Sequence, residues 1–445
     1  MTLGVERLLE RRTDGKILSE TADVAPLRVS VLVNLFKNQS SGGHVKAWER
    51  FAQAATHQPR VDLTVHYLGE EEKILPISDN VRFRLHRPRL STLRFPFMSA
   101  IPDHTDLASY NPSLAKALVG RDVIHTTDAF FAFAGTAEKV ARRERIPLVN
   151  SVHTDTPSYT RVYTAQIVER MFGKGLISRA LLNGLRMHLR AEQRMLRRLD
   201  HHQRASSFVW VSKPEDYEAL CKTREPSHVG FLRRGVDKSH FNPAKRDRAW
   251  LEQRFSLRSD QVIALFVGRL SQGKNVMIVA EAIAKLAAEG QPIHLLCAGQ
   301  GPLQQAICEK VGKNGCCAGI INGDELARLY ASVDLLAMPS EIEIFSNVVQ
   351  EAVASGLPTV LARRGGMGRL IAPEETGIIV EERTPEGWAK AMRTLCHDPQ
   401  RRANMGRAAR AYAETKLPSW EDVLNQDLMP FWLAAAAQKK TAAAV

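Results

Sequence analysis

Short apolar runs recur along the chain, and each is followed by polar residues and then by a stretch with helical periodicity. The first run, Leu27–Leu35, is β-branched and leads into a helical pattern over Val45–Ala55. Strands that alternate with helices in this way are typical of a parallel sheet covered on both faces. The predicted strands are Leu27–Leu35, Val61–Tyr67, Asp122–His125, Pro147–His153, Phe208–Ser212, Val262–Val267, His294–Ala298, Leu335–Met338 and Thr359–Ala362.

The alternation pauses near residue 225 and restarts at Gln261, which indicates two doubly wound α/β domains. A chain of 445 residues also suits two domains better than one. The intervening segment Val229–Pro243 combines a short strand, a turn and a closing proline, as an exposed connection would. We therefore predict an N-terminal acceptor-binding domain over residues 1–228 and a C-terminal donor domain over 229–415. A helical tail over 416–445 is expected to pack back towards the N-terminal domain.

Composition narrows the class of protein. The first thirty residues contain no apolar signal segment, and no later stretch approaches the roughly 20 apolar residues that a membrane span needs. We therefore expect a cytoplasmic protein that does not cross the bilayer. The cysteines show no metal-ligand spacing, so reduced, structural thiols are expected. They are Cys221, Cys297, Cys308, Cys316, Cys317 and Cys396.

The net charge of +13 is unevenly distributed. Residues 1–225 carry 34 Lys and Arg against 25 Asp and Glu. Two stretches interleave basic with apolar residues: Phe83–Met98, and Ile167–Leu199, which is predicted to be one helical run. Such stretches favour an anionic partner, which could be membrane lipid, nucleic acid or a phosphorylated substrate, while ordinary solvated faces are the alternative interpretation.

Ligands of open parallel sheets bind outside the carboxyl ends of the strands, so the loops there are candidate sites. The loop after Val262–Val267 carries Arg269 and Lys274 just before a helical run. The loop after His294–Ala298 contains Gly299 and Gly301. Both loops suit a diphosphate, because glycines allow close backbone approach and a helix start favours anions. Each loop alone is also common for steric reasons.

A third loop separates two glutamates by eight positions. Glu343 is predicted to lie in the loop, and a helix is predicted to begin near Ser346 or Asn347 and to end at Gly356. Asn347 and Glu351 are four residues apart and would share one helix face. One carboxylate could then accept hydrogen bonds from ribose hydroxyls while the other reaches the sugar. The spacing alone, however, favours a surface loop and one solvated helix glutamate.

These residues together resemble a known family. The string Pro339-Ser340 … Glu343-x-Phe345-Ser346-Asn347-x-x-x-Glu351 is similar to the Glu-x7-Glu region of retaining GT-B glycosyltransferases. Further motifs resemble the family in the same order, and the N-terminal ones match more loosely. They are Gly42-Gly43-His44, Val152-His153-Thr154, Arg234-Gly235-Val236-Asp237, Val267-Gly268-Arg269-Leu270 with Lys274, Gly299-x-Gly301-Pro302 and Asp324-Glu325-Leu326 … Tyr330. The sequence departs from many members at Ser346, where they have glycine.

The resemblance implies a GT-B fold, in which two Rossmann-like domains face a central cleft. It also implies transfer of a hexose, with retention of configuration, from a nucleoside-diphosphate sugar, with a UDP-sugar favoured. Neither a metal nor another cofactor is expected, because Arg269 and Lys274 would hold the diphosphate. The catalytic residues that it implies are Glu343, His153, Arg269 and Lys274. The donor-binding residues that it implies are Gly42, Gly43, Arg269, Lys274, Gly299, Gly301, Gly319, Ile320, Phe345, Ser346, Asn347 and Glu351.

The acceptor is predicted from a second resemblance. Ser151–Tyr159 with Tyr163 is similar to a segment of bacterial glycosyltransferases that act on membrane lipids such as diacylglycerol. The basic, apolar stretches would then hold the protein on the inner face of the membrane. A soluble or lipid-linked oligosaccharide is the alternative acceptor. Nucleic acid is not the expected partner, because no reading motif is present. The alternative of another class is a non-catalytic protein that binds a nucleotide sugar or nucleic acid.

Overall fold

The computed structural model describes residues 25–38, 42–95, 104–153, 156–173, 175–341 and 346–443. The chain divides into two compact units. The N-terminal unit comprises Met1–Leu232 and Leu424–Val445, and the C-terminal unit comprises Arg233–Val423. The divisions therefore fall after residues 232 and 423, whereas the sequence prediction put them after 228 and 415.

The N-terminal unit contains an eight-stranded sheet with the order β3-β4-β2-β1-β5-β6-β7-β8. Its neighbouring strands are parallel except for the antiparallel pair β3 and β4. The strands are β1 Leu27–Phe36, β2 Val61–Leu68, β3 Lys73–Pro76, β4 Val81–His86, β5 Val123–Thr126, β6 Leu148–Ser151, β7 Phe208–Val211 and β8 Val229–Phe231. The α-helices before the division are α1 Gly43–Ala55, α2 Pro112–Leu118, α3 Phe131–Glu144, α4 Thr156–Phe172, α5 Leu176–Arg179, α6 Met187–Ala205 and α7 Pro214–Cys221.

The C-terminal unit contains a six-stranded parallel sheet with the order β11-β10-β9-β12-β13-β14. Its strands are β9 Val262–Val267, β10 Ile293–Ala298, β11 Gly315–Gly319, β12 Leu335–Met338, β13 Thr359–Ala362 and β14 Gly377–Val380. Its α-helices are α8 Arg248–Phe255, α9 Val276–Ala288, α10 Gln304–Val311, α11 Gly323–Ser332, α12 Asn347–Ala354, α13 Pro385–His397, α14 Pro399–Lys416 and α15 Trp420–Val423. The last helix of the chain, α16 Met429–Ala443, belongs to the N-terminal unit.

The central strands explain why both sheets form. In β1, side chains that point to opposite faces, such as Val31 and Leu32, are both buried. Five consecutive residues of β9 are likewise buried. Strands that are apolar on both faces are stable only when both faces of the sheet are covered. The sequence pattern of unbroken apolar runs therefore predicts the doubly wound fold.

Each sheet has one point at which the strand order reverses direction. In the C-terminal unit β9 lies between β10 and β12, and in the N-terminal unit β1 lies between β2 and β5. Crossover connections diverge at such a point and leave a crevice outside the carboxyl ends of the strands, where ligands bind. The loops that follow β9 and β12, and those that follow β1 and β5, are thus the expected site-forming loops.

The nine predicted strands all form, with ends within two residues of the predictions. The predictions missed β3, β4, β11 and β14. β4 has the sequence VRFRLH, and its alternating arginines led it to be interpreted as part of a basic surface stretch. β11, GCCAG, has low intrinsic strand propensity and forms at the sheet edge by pairing with β10.

The prediction that Ile167–Leu199 forms one continuous basic helix is wrong, because the segment is divided into several helices. Helix α4 ends at Phe172, and the following Gly173 has a left-handed φ of 65°. Arg186 is also left-handed, with a φ of 49°, just before α6 begins. Two left-handed residues cannot be accommodated inside one α-helix, so the segment folds as a helical hairpin.

The end of the chain returns to the N-terminal sheet. The indole nitrogen of Trp210 on β7 donates to the carbonyl of Asp427 over 2.8 Å, and the Phe431 ring lies 5.2 Å from that of Trp210. A Cβ at Gly230 would lie only 2.8 Å from Trp210 Cδ1, so glycine is needed for this close packing. Trp432 in α16 is completely buried.

We predict that Trp432→Ala lowers the free energy of unfolding of the N-terminal unit by about 3–5 kcal/mol, the usual cost of removing a buried large aromatic side chain. Leu433→Ala is the matched control on the same helix, because Leu433 is 47% exposed. The control should change stability by less than about 0.5 kcal/mol. Urea titrations followed by circular dichroism measure both effects. Equal effects of the two substitutions would contradict the docking of α16.

Candidate active site

Three loops at the carboxyl edge of the C-terminal sheet are joined backbone to backbone. The Gly268 amide donates to Ala298 over 2.9 Å, the Leu270 amide to Gln300 over 3.0 Å, and the Gly299 amide to Gly319 over 2.7 Å. A Cβ at Gly299 would lie 1.9 Å from the Gly268 carbonyl oxygen, and one at Gly301 would lie 2.3 Å from that of Leu270. These approaches exclude any side chain, so the loops after β9, β10 and β11 pack against one another as one rigid unit.

Two cations stand at the start of α9. Arg269 follows β9 and is exposed, while Lys274 ends a short 3₁₀ turn, Gln272–Lys274, and is half-buried. Asn275 follows with a left-handed φ of 54° and occupies the N-cap position of α9. Because a helix N-terminus carries partial positive charge, this arrangement adds the helix dipole to the side-chain charges. The loop is therefore suited to a multiply charged anion.

The loop after β12 leads into α12. The Ser346 hydroxyl accepts a hydrogen bond from the Val349 amide over 3.4 Å and caps the helix, which begins at Asn347 as predicted. A hydroxyl cap at this position stabilises the helix start, so serine in place of the family's usual glycine is compatible with the fold. Asn275 Nδ2 donates to the Pro339 carbonyl over 3.5 Å and joins the loops after β9 and β12.

The carboxylate of Glu351 is oriented by Tyr330, a residue whose role the sequence did not reveal. The Tyr330 hydroxyl on α11 donates to Glu351 Oε2 over 3.0 Å. Burial, reinforced by the charge of Glu351, raises the pKa of Tyr330 well above its usual value, so the phenol keeps its proton and remains a donor. This hydrogen bond fixes the orientation of the Glu351 carboxylate, including its second oxygen, Oε1.

The backbone of a buried arginine, Arg234, contacts the same helix, α12. Gln350 Nε2 donates to the backbone carbonyl of Arg234 over 2.9 Å. Burial lowers the pKa of Arg234 to about 10, which leaves its guanidinium charged at neutral pH. The sequence indicated Arg234 only through its motif, because its burial depends on contacts between segments more than a hundred residues apart.

The structure brings most of the predicted donor residues to one edge of one sheet. Those at the carboxyl edge of the C-terminal sheet are Arg269, Lys274, Gly299, Gly301, Gly319, Ile320, Ser346, Asn347 and Glu351. Glu343 and Phe345 lie outside the described residues. Within the described ranges, no three His, Cys, Asp or Glu side chains are grouped so that they could hold a metal ion.

The remaining predicted residues lie in the N-terminal unit. Gly42 is the N-cap of α1 and Gly43 is its first residue, just beyond the carboxyl end of β1. His153 follows β6, and its ring centroid lies 4.6 Å from that of His44. These residues therefore lie at the carboxyl edge of their own sheet.

A chain of hydrogen bonds reaches His153 from the C-terminal helix. The indole nitrogen of Trp432 lies 3.3 Å from His125 Nδ1, His125 Nε2 lies 2.9 Å from Ser151 Oγ, and Ser151 Oγ lies 2.6 Å from His153 Nε2. An indole can only donate, so His125 must accept at Nδ1 and carry its proton on Nε2. Ser151 Oγ then accepts a hydrogen bond from His125 Nε2 and donates to His153 Nε2. Because Nε2 of His153 accepts, that ring carries its proton on Nδ1.

Burial keeps this chain in one protonation state. It lowers the pKa of His125 to about 3, so the ring stays neutral at physiological pH. The sequence suggested His153 by resemblance but not the residues behind it. Trp432 and His125 are 307 positions apart, and no local pattern connects them.

Asp128 is a second residue that the sequence did not single out. It follows β5 at the carboxyl edge, and its Oδ1 accepts a hydrogen bond from the Phe130 amide over 2.8 Å. Burial raises its pKa to about 7 despite that hydrogen bond. A carboxyl group with such a pKa exchanges protons readily near neutrality, which is the property of a general acid or base. The position directly after a buried strand was the available signal.

Comparison with known proteins adds independent findings. Residues 248–412 match the family described as Glycosyl transferases group 1. A GDP-mannose-dependent alpha-mannosyltransferase of Corynebacterium glutamicum is 27% identical over 77% of this chain and 74% of its own length. A D-inositol 3-phosphate glycosyltransferase of Salinispora tropica is 29% identical, but the match covers only 49% of this chain and 48% of the relative.

Solved structures share the fold. Sucrose-phosphate synthase from Thermosynechococcus elongatus superposes with a TM-score of 0.65 at 18% identity, over 94% of this chain and all of that one. Anabaena HepE in complex with UDP and glucose gives a TM-score of 0.62 at 16% identity, over 92% of this chain and 99% of HepE. With two Rossmann-like α/β units, the chain has the GT-B fold.

We predict that His125 keeps its proton on Nε2 and does not titrate between about pH 5 and pH 8, where an ordinary histidine changes charge. Nitrogen-15 spectra of histidine-labelled protein report both properties. Trp432→Phe retains an aromatic ring but removes the donor, so it should allow the second tautomer of His125 to appear. Ser151→Ala should leave His125 neutral and change the signal of His153. A protonated Nδ1 in the wild-type protein would contradict the hydrogen-bond chain.

Proposed function

We propose that this chain, an enzyme whose residues 248–412 match the group 1 glycosyltransferase family, transfers a hexose from a nucleoside-diphosphate sugar to an acceptor with retention of anomeric configuration. The observation that supports the donor class is the carboxyl edge of the C-terminal sheet. There, Arg269 and Lys274 stand beside the glycine-lined loops and the N-terminus of α9. That combination is suited to a diphosphate.

The same groups would favour the reaction itself. The nucleoside diphosphate gains negative charge as the glycosidic bond breaks, so fixed cations and helix-start amides act more strongly in the transition state than before it. Arg269 and Lys274 supply the cations, and α9 and α12 supply the helix starts. With these groups in place, the departing diphosphate requires no metal ion from the protein.

The remaining donor contacts follow from position. Glu351, directed by Tyr330, would accept hydrogen bonds from the ribose hydroxyls. The backbone at Gly319 and Ile320, at the end of β11, would contact the base. His153 and Glu343 would orient the hydroxyls of the hexose.

We infer a UDP-hexose as donor from the motifs of the C-terminal half. GDP-mannose is a second candidate, favoured by the C. glutamicum relative, whose name specifies that donor and whose match covers most of both chains. The two differ in the size of the base that the Gly319 turn must accept. Calorimetry with UDP, GDP and ADP therefore discriminates between them.

For the acceptor we propose a membrane lipid such as diacylglycerol. The supporting feature is the hairpin of residues 156–205, formed by α4, α5 and α6. Its two long helices pack together and are joined by an ion pair between Arg161 and Glu192. At its turn, Leu176 is 82% exposed and Ile177 59% exposed. Large apolar side chains in such exposed positions mark a binding surface.

The hairpin also carries many exposed cations along its length. The other exposed large apolar residues of the hairpin are Val162, Met171, Phe172, Leu185, Met187 and Leu196. The exposed arginines are Arg161, Arg170, Arg179, Arg186, Arg190, Arg194, Arg197 and Arg204. Apolar side chains within a basic surround fit the interface of an anionic bilayer. None of the described helices is both long enough and apolar enough to cross a membrane.

The first basic stretch contributes less than its composition suggested. Arg84 is half-buried on β4, and Arg82, which lies on the same strand just before the stretch, pairs with Asp62 over 2.6 Å. Arg87, Arg89 and Arg94 are exposed, together with Leu90 and Leu93. Phe97 lies outside the described residues. The hairpin is therefore the principal surface proposed to contact the inner face of the membrane. A soluble acceptor is the second candidate, favoured by the S. tropica relative, whose name specifies D-inositol 3-phosphate.

The proposed activity is tested by incubating the purified protein with UDP-hexoses or GDP-mannose and a membrane lipid extract, and by identifying new glycosides by mass spectrometry. Lys274→Ala should lower turnover by roughly 10²–10³-fold, the range for loss of one preorganised donor to a developing anion. Lys285→Ala is the matched control, because Lys285 lies at the other end of α9 and pairs with Glu386. Unchanged turnover in Lys274→Ala would refute the diphosphate assignment.

The proposed membrane contact is tested by sedimentation with vesicles of phosphatidylglycerol and phosphatidylcholine. Each basic residue at an anionic surface contributes about 1 kcal/mol, so binding should rise with the phosphatidylglycerol content and fall with salt. The double substitution Leu176→Ser with Ile177→Ser should weaken binding at least about tenfold, because the exposed apolar area is lost. Leu433→Ser, at a similarly exposed leucine of α16, is the control. If the wild-type protein stays in the supernatant at low salt, the soluble acceptor becomes the better candidate.

A further inference from the structure

Three thiols meet beside the candidate donor site, at the edge of the C-terminal sheet. Cys317 on β11 pairs in register with Cys297 on β10, so both side chains lie on the same face of the sheet. Cys308 on α10 covers that face, and its thiol donates to Cys317 Sγ over 3.5 Å. Cys297 is fully buried, whereas Cys308 is exposed. Cys317 therefore lies between a buried and a solvent-accessible thiol.

The three thiols differ in reactivity. The hydrogen bond from Cys297, assisted by that from Cys308, lowers the pKa of Cys317 to about 6. Burial raises the pKa of the adjacent Cys316 to about 11, which makes it a poor competitor. Thiolates react with oxidants and thiols do not, so Cys317 is the nucleophile of the cluster. In the part of the chain that the structure describes, no metal-binding group of ligands accounts for these cysteines.

We propose that Cys317 and Cys308 form a reversible disulfide when the protein meets a peroxide. The Cys317 thiolate attacks one oxygen of hydrogen peroxide, so an S–O bond forms and the O–O bond breaks, leaving a sulfenic acid and a hydroxide that takes up the proton that Cys317 released on ionising. The Cys308 sulfur, after losing its proton, attacks the Cys317 sulfur, and a second hydroxide leaves. Overall, two thiols and one peroxide yield one disulfide and two waters. A dithiol reductant reverses the reaction.

The geometry connects this pair to the donor loops. A disulfide requires a sulfur–sulfur distance of about 2.05 Å, so the two side chains must move together from 3.5 Å. Cys317 lies two residues before Gly319, whose carbonyl holds the Gly299 amide over 2.7 Å. Moving β11 towards α10 shifts the Gly319 turn, which would contact the base. This consequence rests on the proposed function: oxidation should weaken nucleoside-diphosphate binding about tenfold, which corresponds to about 1.4 kcal/mol.

The disulfide is tested without reference to activity. The folded protein is treated with hydrogen peroxide, remaining thiols are blocked with iodoacetamide, and cross-linked peptides are identified by tandem mass spectrometry. Trypsin leaves Cys297 and Cys308 in one peptide, because no lysine or arginine separates them. Cys297→Ala is therefore needed for the assignment. The cross-link should still form in Cys297→Ala, but more slowly, because the hydrogen bond that lowers the pKa of Cys317 is lost. It should be unchanged in the control Cys221→Ser and should disappear in Cys308→Ser, where dimedone should trap Cys317 as a sulfenic acid.

A cross-link between other cysteines, or oxidation only after unfolding, would overturn the proposal. Calorimetry with UDP and GDP, before and after oxidation and after reduction with dithiothreitol, tests the coupling to the donor site. Cys308→Ser should bind nucleotide as the reduced wild-type protein does and should not respond to peroxide through a disulfide. If the reduced protein binds neither nucleotide while the disulfide still forms, the proposed donor function fails and the thiol pair stands. If nucleotide binds equally in both redox states, the coupling is refuted.

Discussion

Backbone-to-backbone contact between the loops that follow β9, β10 and β11 is the constraint on which the C-terminal unit depends. Gly299 and Gly301 approach carbonyl groups so closely that a single Cβ at either position would collide with them. Gly268 and Gly299 also have φ values of 143° and 151°, which other residues rarely adopt. Because no side chains separate these loops, hydrogen bonds between their backbones hold them together, and the β9 loop carries the cations Arg269 and Lys274. A diphosphate-sized anion would meet a surface that needs no reorganisation to receive it.

In the N-terminal unit, a chain of hydrogen bonds fixes the tautomer of His125 and leads to His153. The Trp432 indole can only donate a hydrogen bond, so it fixes the proton of His125 on Nε2. His125 in turn donates to Ser151, and Ser151 donates to His153. Burial removes the alternative of protonation by keeping His125 neutral. The C-terminal helix, α16, therefore contributes a functional contact to the N-terminal unit as well as packing. It places the tryptophan that orients the residues behind His153.

The arginines of the N-terminal unit fall into two groups, those in structural ion pairs and those exposed on the hairpin. Some arginines of the first unit are structural, as Arg82 is in its ion pair with Asp62 on the neighbouring strand. Others are exposed along the hairpin, where few acidic residues accompany them. A net charge alone does not distinguish the two groups, because an arginine on a strand and one on a hairpin contribute equally to the total. Only the exposed set bears on an anionic partner.

The sequence by itself determined the features that depend on neighbouring residues. Unbroken apolar runs predicted β1 and β9, the glycines predicted the close turn after β10, and Ser346 with Gly356 predicted the limits of α12. The tertiary structure alone decided the contacts between residues far apart in the chain. They include Tyr330 with Glu351, Trp432 with His125, and Cys308 with Cys317. The strand β11 belongs to the same class, because its glycines and cysteines form a strand only when β10 is there to pair with. The physical reason is that local conformation follows from a residue's own backbone preferences and its near neighbours, whereas strand order and crossover connections decide which distant side chains share a face.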